Sequence, residues 1–435
     1  MRQFLLTMLM LGLIAGLVFA NGAQESGDGE APQELRVMWW GAQRRHEITI
    51  DVVELYGETN DVEMTYEFAG FSDYWTKLST MAAGGNLPDI MQLGYPHLSD
   101  WQSRGMLQQL DSYADQGVLD FTNVPASSLS GGRIDGDLYA VSLGVNTWAF
   151  VADTDMFERA GVSLPGDDWT WEDFEQTVLD LHESLGFWGM GAGLPNPSAI
   201  ELRALYLSSG IDAVDVENGR LAYSDDTILV EYLNRLLRLQ EAGAITPISV
   251  QASDYAYGEN PEMAPIVEGE AAMSFLASNQ LVAQWNAAGG AEERNFTLLP
   301  IPRTGANSAN WLRPSMMFAV TTDSEIPEVA ADFISFFIND IEANRILQAE
   351  RGVPVATNIR DDLSAIVDEP ARVVFDFVGR IAEDSIPIPP PTPQGWNDLI
   401  SNVWQPVVRD EVLFGETSPE AAARIFREEA EEILD

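Results

Sequence analysis

FAGFSDYWTKLSTMAAGGNLPDIMQLGYPHL, residues 68–98, is the stretch whose reading decides the fold. Ser72 is a good N-cap, Asp73 stands in the first turn, and Tyr74, Trp75, Leu78, Met81 and Ala82 share one face at helical spacing. Gly84 and Gly85 end that helix, as glycine does just past a C-terminus. Pro88 bars the helix from resuming and biases Leu87 to extended backbone. Asp89-Ile90-Met91-Gln92-Leu93 then reads as a short apolar strand with one acid at its mouth, followed by Gly94-Tyr95-Pro96-His97. This is one αβ unit, with Asp89, Gln92 and Tyr95 as its candidate ligand contacts. Ligands of open α/β sheets bind in the crevice beyond the carboxyl ends of the strands.

Outward from this unit, the bulk properties set limits. A chain of 435 residues is too long for one core and implies two domains. At 46% hydrophobic and 10% aromatic it is globular. Residues 1–20 read as a secretion signal: Arg2, an apolar run from Phe4 to Val18, then Val18-Phe19-Ala20 before Asn21. Residues 21–33 are polar and rich in Gly and Glu, a flexible leader. The chain has no cysteine, which excludes disulfides, thiolate metal sites, cysteine catalysis and a lipidation cysteine. A periplasmic or extracellular location follows. The net charge of −45 argues against nucleic acid and anionic membranes as partners. It fits either solubility in concentrated salt or an acidic lineage without salt adaptation.

Several chemistries find no support. His46, His97 and His182 show no metal-ligand spacing, so no metal is expected. There is no Gly-x-Ser-x-Gly elbow, and Gly189-Met190-Gly191-Ala192-Gly193 is not a dinucleotide fingerprint. No cofactor and no catalytic residue is assigned. With 68 acids, some carboxylate pair at glycosidase spacing always exists and carries no weight. Binding is better supported. Sugars present flat C–H faces ringed by hydroxyls, which suit aromatic platforms and a few fixed polar groups. Trp40, Tyr95, Trp148, Trp188, Trp311 and Trp396 lie in or beside loops, with core packing as the alternative for each tryptophan. Asp89, Gln92, Asn146, Asn279 and Gln394 supply donors and acceptors. Arg44, Arg45 and Arg313 could clamp a uronic acid carboxylate or pair with local acids.

The run AAGGNLPDIMQLGY (82–95), after the aromatic helix YWTKL, resembles extracellular solute-binding proteins of the sugar-binding class, which serve ATP-binding-cassette importers. Residues 138–148, residues 269–280 and Arg351-Gly352-Val353-Pro354 carry further parts of the resemblance, which runs from about residue 35 to the C-terminus. It implies an α/β periplasmic-binding-protein fold of the type II kind, two lobes hinged about a ligand cleft. Residues 34–143 plus 313–362 form lobe one, and 144–312 plus 363–435 form lobe two. It also implies that Asn146 and Trp148 stand where ligand is contacted, that a permease is the partner, that the protein is monomeric, and that it is no enzyme. The alternatives are a secreted glycoside-active enzyme and the same fold holding a peptide, polyamine or phosphodiester. Single helices are expected over 327–349 and from Ser418 to the C-terminus.

Overall fold

The computed structural model describes residues 33–41, 43–191, 200–250, 261–390, 392–393 and 395–434. The expected signal, all but the last residue of the expected leader, and Gln394 lie outside the described residues.

Two sheets organise the chain. In the first, Glu34–Trp40 lies between Glu63–Ala69 and Ile90–Leu93 and runs parallel to both. Met317–Val320, from the far half of the chain, pairs antiparallel with Ile90–Leu93, with Phe318 opposite Gln92, and carries Val141–Ser142 on its other side. In the second sheet, Trp148–Asp153 lies between Phe296–Leu299 and Ala271–Ala277, antiparallel to both. Trp188–Met190 adds in parallel beyond Ala271–Ala277. The segments joining the sheets pair with one another. Val145–Asn146 is antiparallel to Arg313–Pro314, and Val145 also bridges Val353. The architecture is a two-lobed α/β fold.

Strand alternation gives each sheet two apolar faces, and helices cover them. Val37, Trp39, Ile90, Phe318 and Val320 face one side with Val52 of Gln43–Asn60 and Phe333 of Pro327–Asn339. Met38, Met91, Leu93 and Met317 face the other, with Tyr74 and Leu78 of Phe71–Gly84. In the second sheet Phe150, Met273 and Phe275 pack with Trp171–Leu185 and Thr227–Glu241. Val151, Leu276 and Leu298 face the opposite side, with Val374 and Phe375 of Glu369–Asp384. Burying a side chain such as Leu78 completely contributes about 1.5–3 kcal/mol.

Local signals explain most element ends. Gly85 caps Phe71–Gly84 in the left-handed region at φ 61, where glycine carries no Cβ penalty. The helix starts a residue before Ser72, because Gly70 is the extended N-cap residue and no side chain caps it. Thr170 and Asp173 form a capping box on Trp171–Leu185, and Ser418 caps Pro419–Ile433. The single helix expected over 327–349 is two, Pro327–Asn339 and Ile341–Leu347. Asp340 leaves helical backbone at ψ 128, and its carboxylate accepts the Ala343 N–H at 2.8 Å. Trp396–Leu399 runs into Ile400–Glu411, a wide π-helix that accommodates Pro406.

Candidate ligand-binding cleft

The parallel pairing of Glu34–Trp40 with Ile90–Leu93 brings two carboxyl ends to one edge of the first sheet. Trp40 emerges there, half-buried, with its ring 5.7 Å from Phe71, 5.1 Å from Tyr74 and 5.4 Å from Trp75. His97 lies against Trp75 at 4.0 Å. Burial lowers the His97 pKa, with Asp100 opposing, which favours the neutral ring. Phe71 is 54% exposed, so this aromatic surface is open at one end. Tyr74 is buried and donates its hydroxyl to the Gln92 carbonyl at 2.7 Å, tying the helix to the strand end.

Tyr95 donates to the Pro389 carbonyl, far along the chain, at 2.9 Å. Burial raises its pKa to about 12, although Arg203 and Arg313 pull it down. Arg203 donates to the next carbonyl, Pro390, at 3.0 Å and is neutralised by Asp212. In the second lobe Trp148 opens its strand and stacks on Phe275 at 5.6 Å with 15° between planes. The Arg313 guanidinium stands over the Trp148 ring at 5.7 Å. Asn146 is the strand partner of Arg313. The Asn146 Oδ1 and Trp148 Nε1 atoms are buried without a hydrogen-bond partner among the described residues. Asn310 fixes the crossing by donating to the Trp148 carbonyl at 2.7 Å and to Thr147 Oγ1 at 3.0 Å.

Tyr95, Asn146, Trp148 and Arg313 are brought near one another at the crossing, Trp40 lies with the aromatic rings of Phe71–Gly84, and the other expected contacts are placed elsewhere. Asp89 stands at the amino end of Ile90–Leu93, roughly 16 Å of extended chain from Gly94. It is 9% exposed, and its carboxylate accepts the Arg36 N–H at 2.8 Å and the Ser324 hydroxyl at 2.6 Å. The rule that ligands sit beyond carboxyl ends argues against it, since an acid before a strand faces the wrong edge. Gln92 is fully buried, donating to the Trp40 carbonyl and accepting from Arg351. Arg45 is clamped by Glu350, the local pairing that was its alternative. Trp188 pairs with Ala271, roughly 20 Å along that strand from Ala277, which sits opposite Trp148. Trp311 and Trp396 are core side chains at 7% and 3% exposure.

Asn279 is exposed but lines a different cavity of about 440 Å³, with Gln348, Gly352, Val353 and residues of Glu369–Asp384. That helix covers the face of the second sheet opposite the one Trp148 packs against. Phe71, Trp75, His97 and Asn310 were not anticipated. The first two had a signal: Phe71, Tyr74 and Trp75 recur at i, i+3 and i+4, an aromatic face wider than one core contact needs. Among the described residues no cluster of His, Asp or Glu is placed to hold a metal ion.

Two α/β lobes joined by paired crossings, with aromatic rings and a few polar groups at the junction, define a ligand-binding protein of the hinged kind. The pattern described as "Bacterial extracellular solute-binding protein" matches residues 45–343, and the chain belongs to that family. An extracellular solute-binding protein family 1 member from Alicyclobacillus acidocaldarius is 25% identical, with a TM-score of 0.81, covering 93% of this chain and 99% of its own. A periplasmic oligogalacturonide binding protein from Yersinia enterocolitica is 21% identical, with a TM-score of 0.73, covering 92% and 98%. An ABC substrate-binding protein from Listeria monocytogenes in complex with cycloalternan is 20% identical, with a TM-score of 0.66, covering 92% and 99%. An uncharacterized lipoprotein of Streptomyces antibioticus is 24% identical over 373 residues, 82% of this chain and 78% of the relative. The family's role is binding rather than catalysis, and its location is extracellular or periplasmic. No helix among the described residues is long and apolar enough to cross a membrane.

Proposed function

We propose that the chain captures an oligosaccharide between its lobes and delivers it to the permease of an ATP-binding-cassette importer. The observation that carries this reading is the aromatic lining of the cleft. Trp40, Phe71, Trp75 and His97 form one surface, Trp148 on Phe275 forms another, and Tyr95, Asn146 and Arg313 stand between as polar contacts. Such a lining suits the apolar faces of sugar rings, and the polar groups suit their hydroxyls. Two structural neighbours whose ligands are named, an oligogalacturonide and cycloalternan, hold oligosaccharides on this fold. Trp40, Tyr95, Asn146, Trp148 and Arg313 are the contacts we assign.

The lobes, residues 34–143 plus 313–362 and residues 144–312 plus 363–435, close by rotation about the crossings at Val145–Asn146 and Arg313–Pro314. Residues 1–20 form the export signal, and the protein works as a monomer. A melting-temperature screen of the secreted protein over a glycan library tests the reading, because a ligand that binds only the folded state raises apparent stability by mass action. A rise with one or more oligosaccharides, and none with peptides, polyamines or phosphodiesters, is expected. Intact glycan after prolonged incubation separates binding from hydrolysis.

A further inference from the structure

Arg313 is placed unlike most arginines of this chain. Most of the described arginines hold a carboxylate within 4.0 Å, as 68 acids make easy. Among the described residues no carboxylate lies that close to Arg313, and its guanidinium makes no hydrogen bond to them. Arg313 is exposed, and desolvation by the protein around it lowers its pKa, with Tyr95 as the opposing influence.

Its backbone is fixed by pairing with Asn146, and its guanidinium sits at the outer limit of cation–π contact with Trp148. It stands 5.7 Å from the ring centre, beside an indole that also stacks on Phe275. It keeps its in-plane N–H fork available to a substituent on a sugar ring. A neutral sugar closing over this cation would strip its water and return no charge, which is costly. A carboxylate matches the fork with two parallel hydrogen bonds. The chain's overall charge repels anions at long range, so an anionic ligand needs a local cation of this kind.

We infer that the sugar held in this cleft carries a carboxylate, a uronic acid residue, which Arg313 binds by two hydrogen bonds beside Trp148. The inference rests on the sugar-binding reading of the same cleft. Its test is a calorimetric titration of the secreted protein with neutral oligosaccharides, uronate oligosaccharides and their methyl esters, and sulfated oligosaccharides. The tightest ligand is expected to be a uronate, and esterifying its carboxyl should weaken binding at least tenfold. Arg313→Gln should weaken the free acid by a similar factor and bind acid and ester alike. Arg313→Lys, which keeps the charge without the fork, should fall between. Arg424→Gln, which removes a cation from the exposed side of Pro419–Ile433, should bind as the parent does. A neutral or sulfated sugar as the tightest ligand overturns the inference and leaves the sugar reading standing. So does an acid-over-ester preference that survives in Arg313→Gln. The ester comparison on the parent protein decides the point even where a variant fails to fold. Absence of binding by every glycan overturns the sugar reading itself, and this inference with it.

Discussion

Replacing Asp89 with alanine should unfold the protein more easily while leaving its ligand affinity intact. The carboxylate is 9% exposed and takes two hydrogen bonds, from the Arg36 N–H at 2.8 Å and the Ser324 hydroxyl at 2.6 Å. These join the first strand to the turn that follows Met317–Val320, a corner also held by Leu87 N–H on Asp323 at 2.8 Å. Hydrogen bonds to a charged group contribute about 1.5–3 kcal/mol each, and the near-complete burial leaves little water to replace them. The alanine variant should therefore lose roughly 3 kcal/mol or more of unfolding free energy. Asp89→Asn keeps an oxygen for the Arg36 N–H and an amide that Ser324 can accept, so it should lose roughly half as much. Urea denaturation followed by tryptophan fluorescence measures the stability, and calorimetric titration measures affinity for the tightest glycan. A stable alanine variant that no longer binds sugar would place Asp89 in the site and refute the assignment of the cleft to the other end of its strand.

Further outcomes follow from single residues. Trp148→Ala should weaken the tightest glycan at least tenfold, about 1.4 kcal/mol, while Trp188→Ala should leave its affinity within twofold, both by calorimetry. Gly144→Ala puts a Cβ 2.3 Å from the Arg351 carbonyl, so the crossing strands must part, and its urea midpoint should fall well below the parent's. His46 is buried beside Arg45 and Arg351, and burial first and those cations second lower its pKa. The unfolded chain therefore takes up a proton first as pH falls through about 6.5, and stability is lost from there downward. The melting temperature should drop between pH 7.5 and 5.5, less steeply in His46→Gln, which keeps an acceptor for the Trp39 indole N–H. Molar sodium chloride should raise the melting temperature by screening the repulsion of a chain at −45, as a scanning fluorimetry series would record.

The parts of the fold legible in the sequence were those set by neighbouring residues. Gly85 in the left-handed region, Pro88 and the Ser418 cap act over a few positions, and each ended or began an element where expected. What depended on distant partners was not legible. Trp311 and Trp148 both lie near the ends of short strands, yet Trp311 is covered by the chain around Ile386 and Trp148 is left half-open. Loop position says that a ring is near an element's end and nothing of what packs over it. Arg45 and Arg313 were equivalent as candidates until Glu350 was seen to hold one of them and no described carboxylate the other. The Asp340 break was signalled by Asn339-Asp340, two good cap formers, but outweighed by the apolar periodicity on both sides.

The central claim is that sugar sits beyond the carboxyl ends of Glu34–Trp40 and Ile90–Leu93, against Trp148. A crystal structure of the protein with the tightest glycan from the library tests it most directly. Sugar density is expected with one ring on the Trp148 indole and hydroxyl or carboxyl groups on Tyr95, Asn146 and Arg313. Density at the Asp89 corner, or in the cavity lined by Asn279 and Gly352, with the Trp148 face empty, would contradict it.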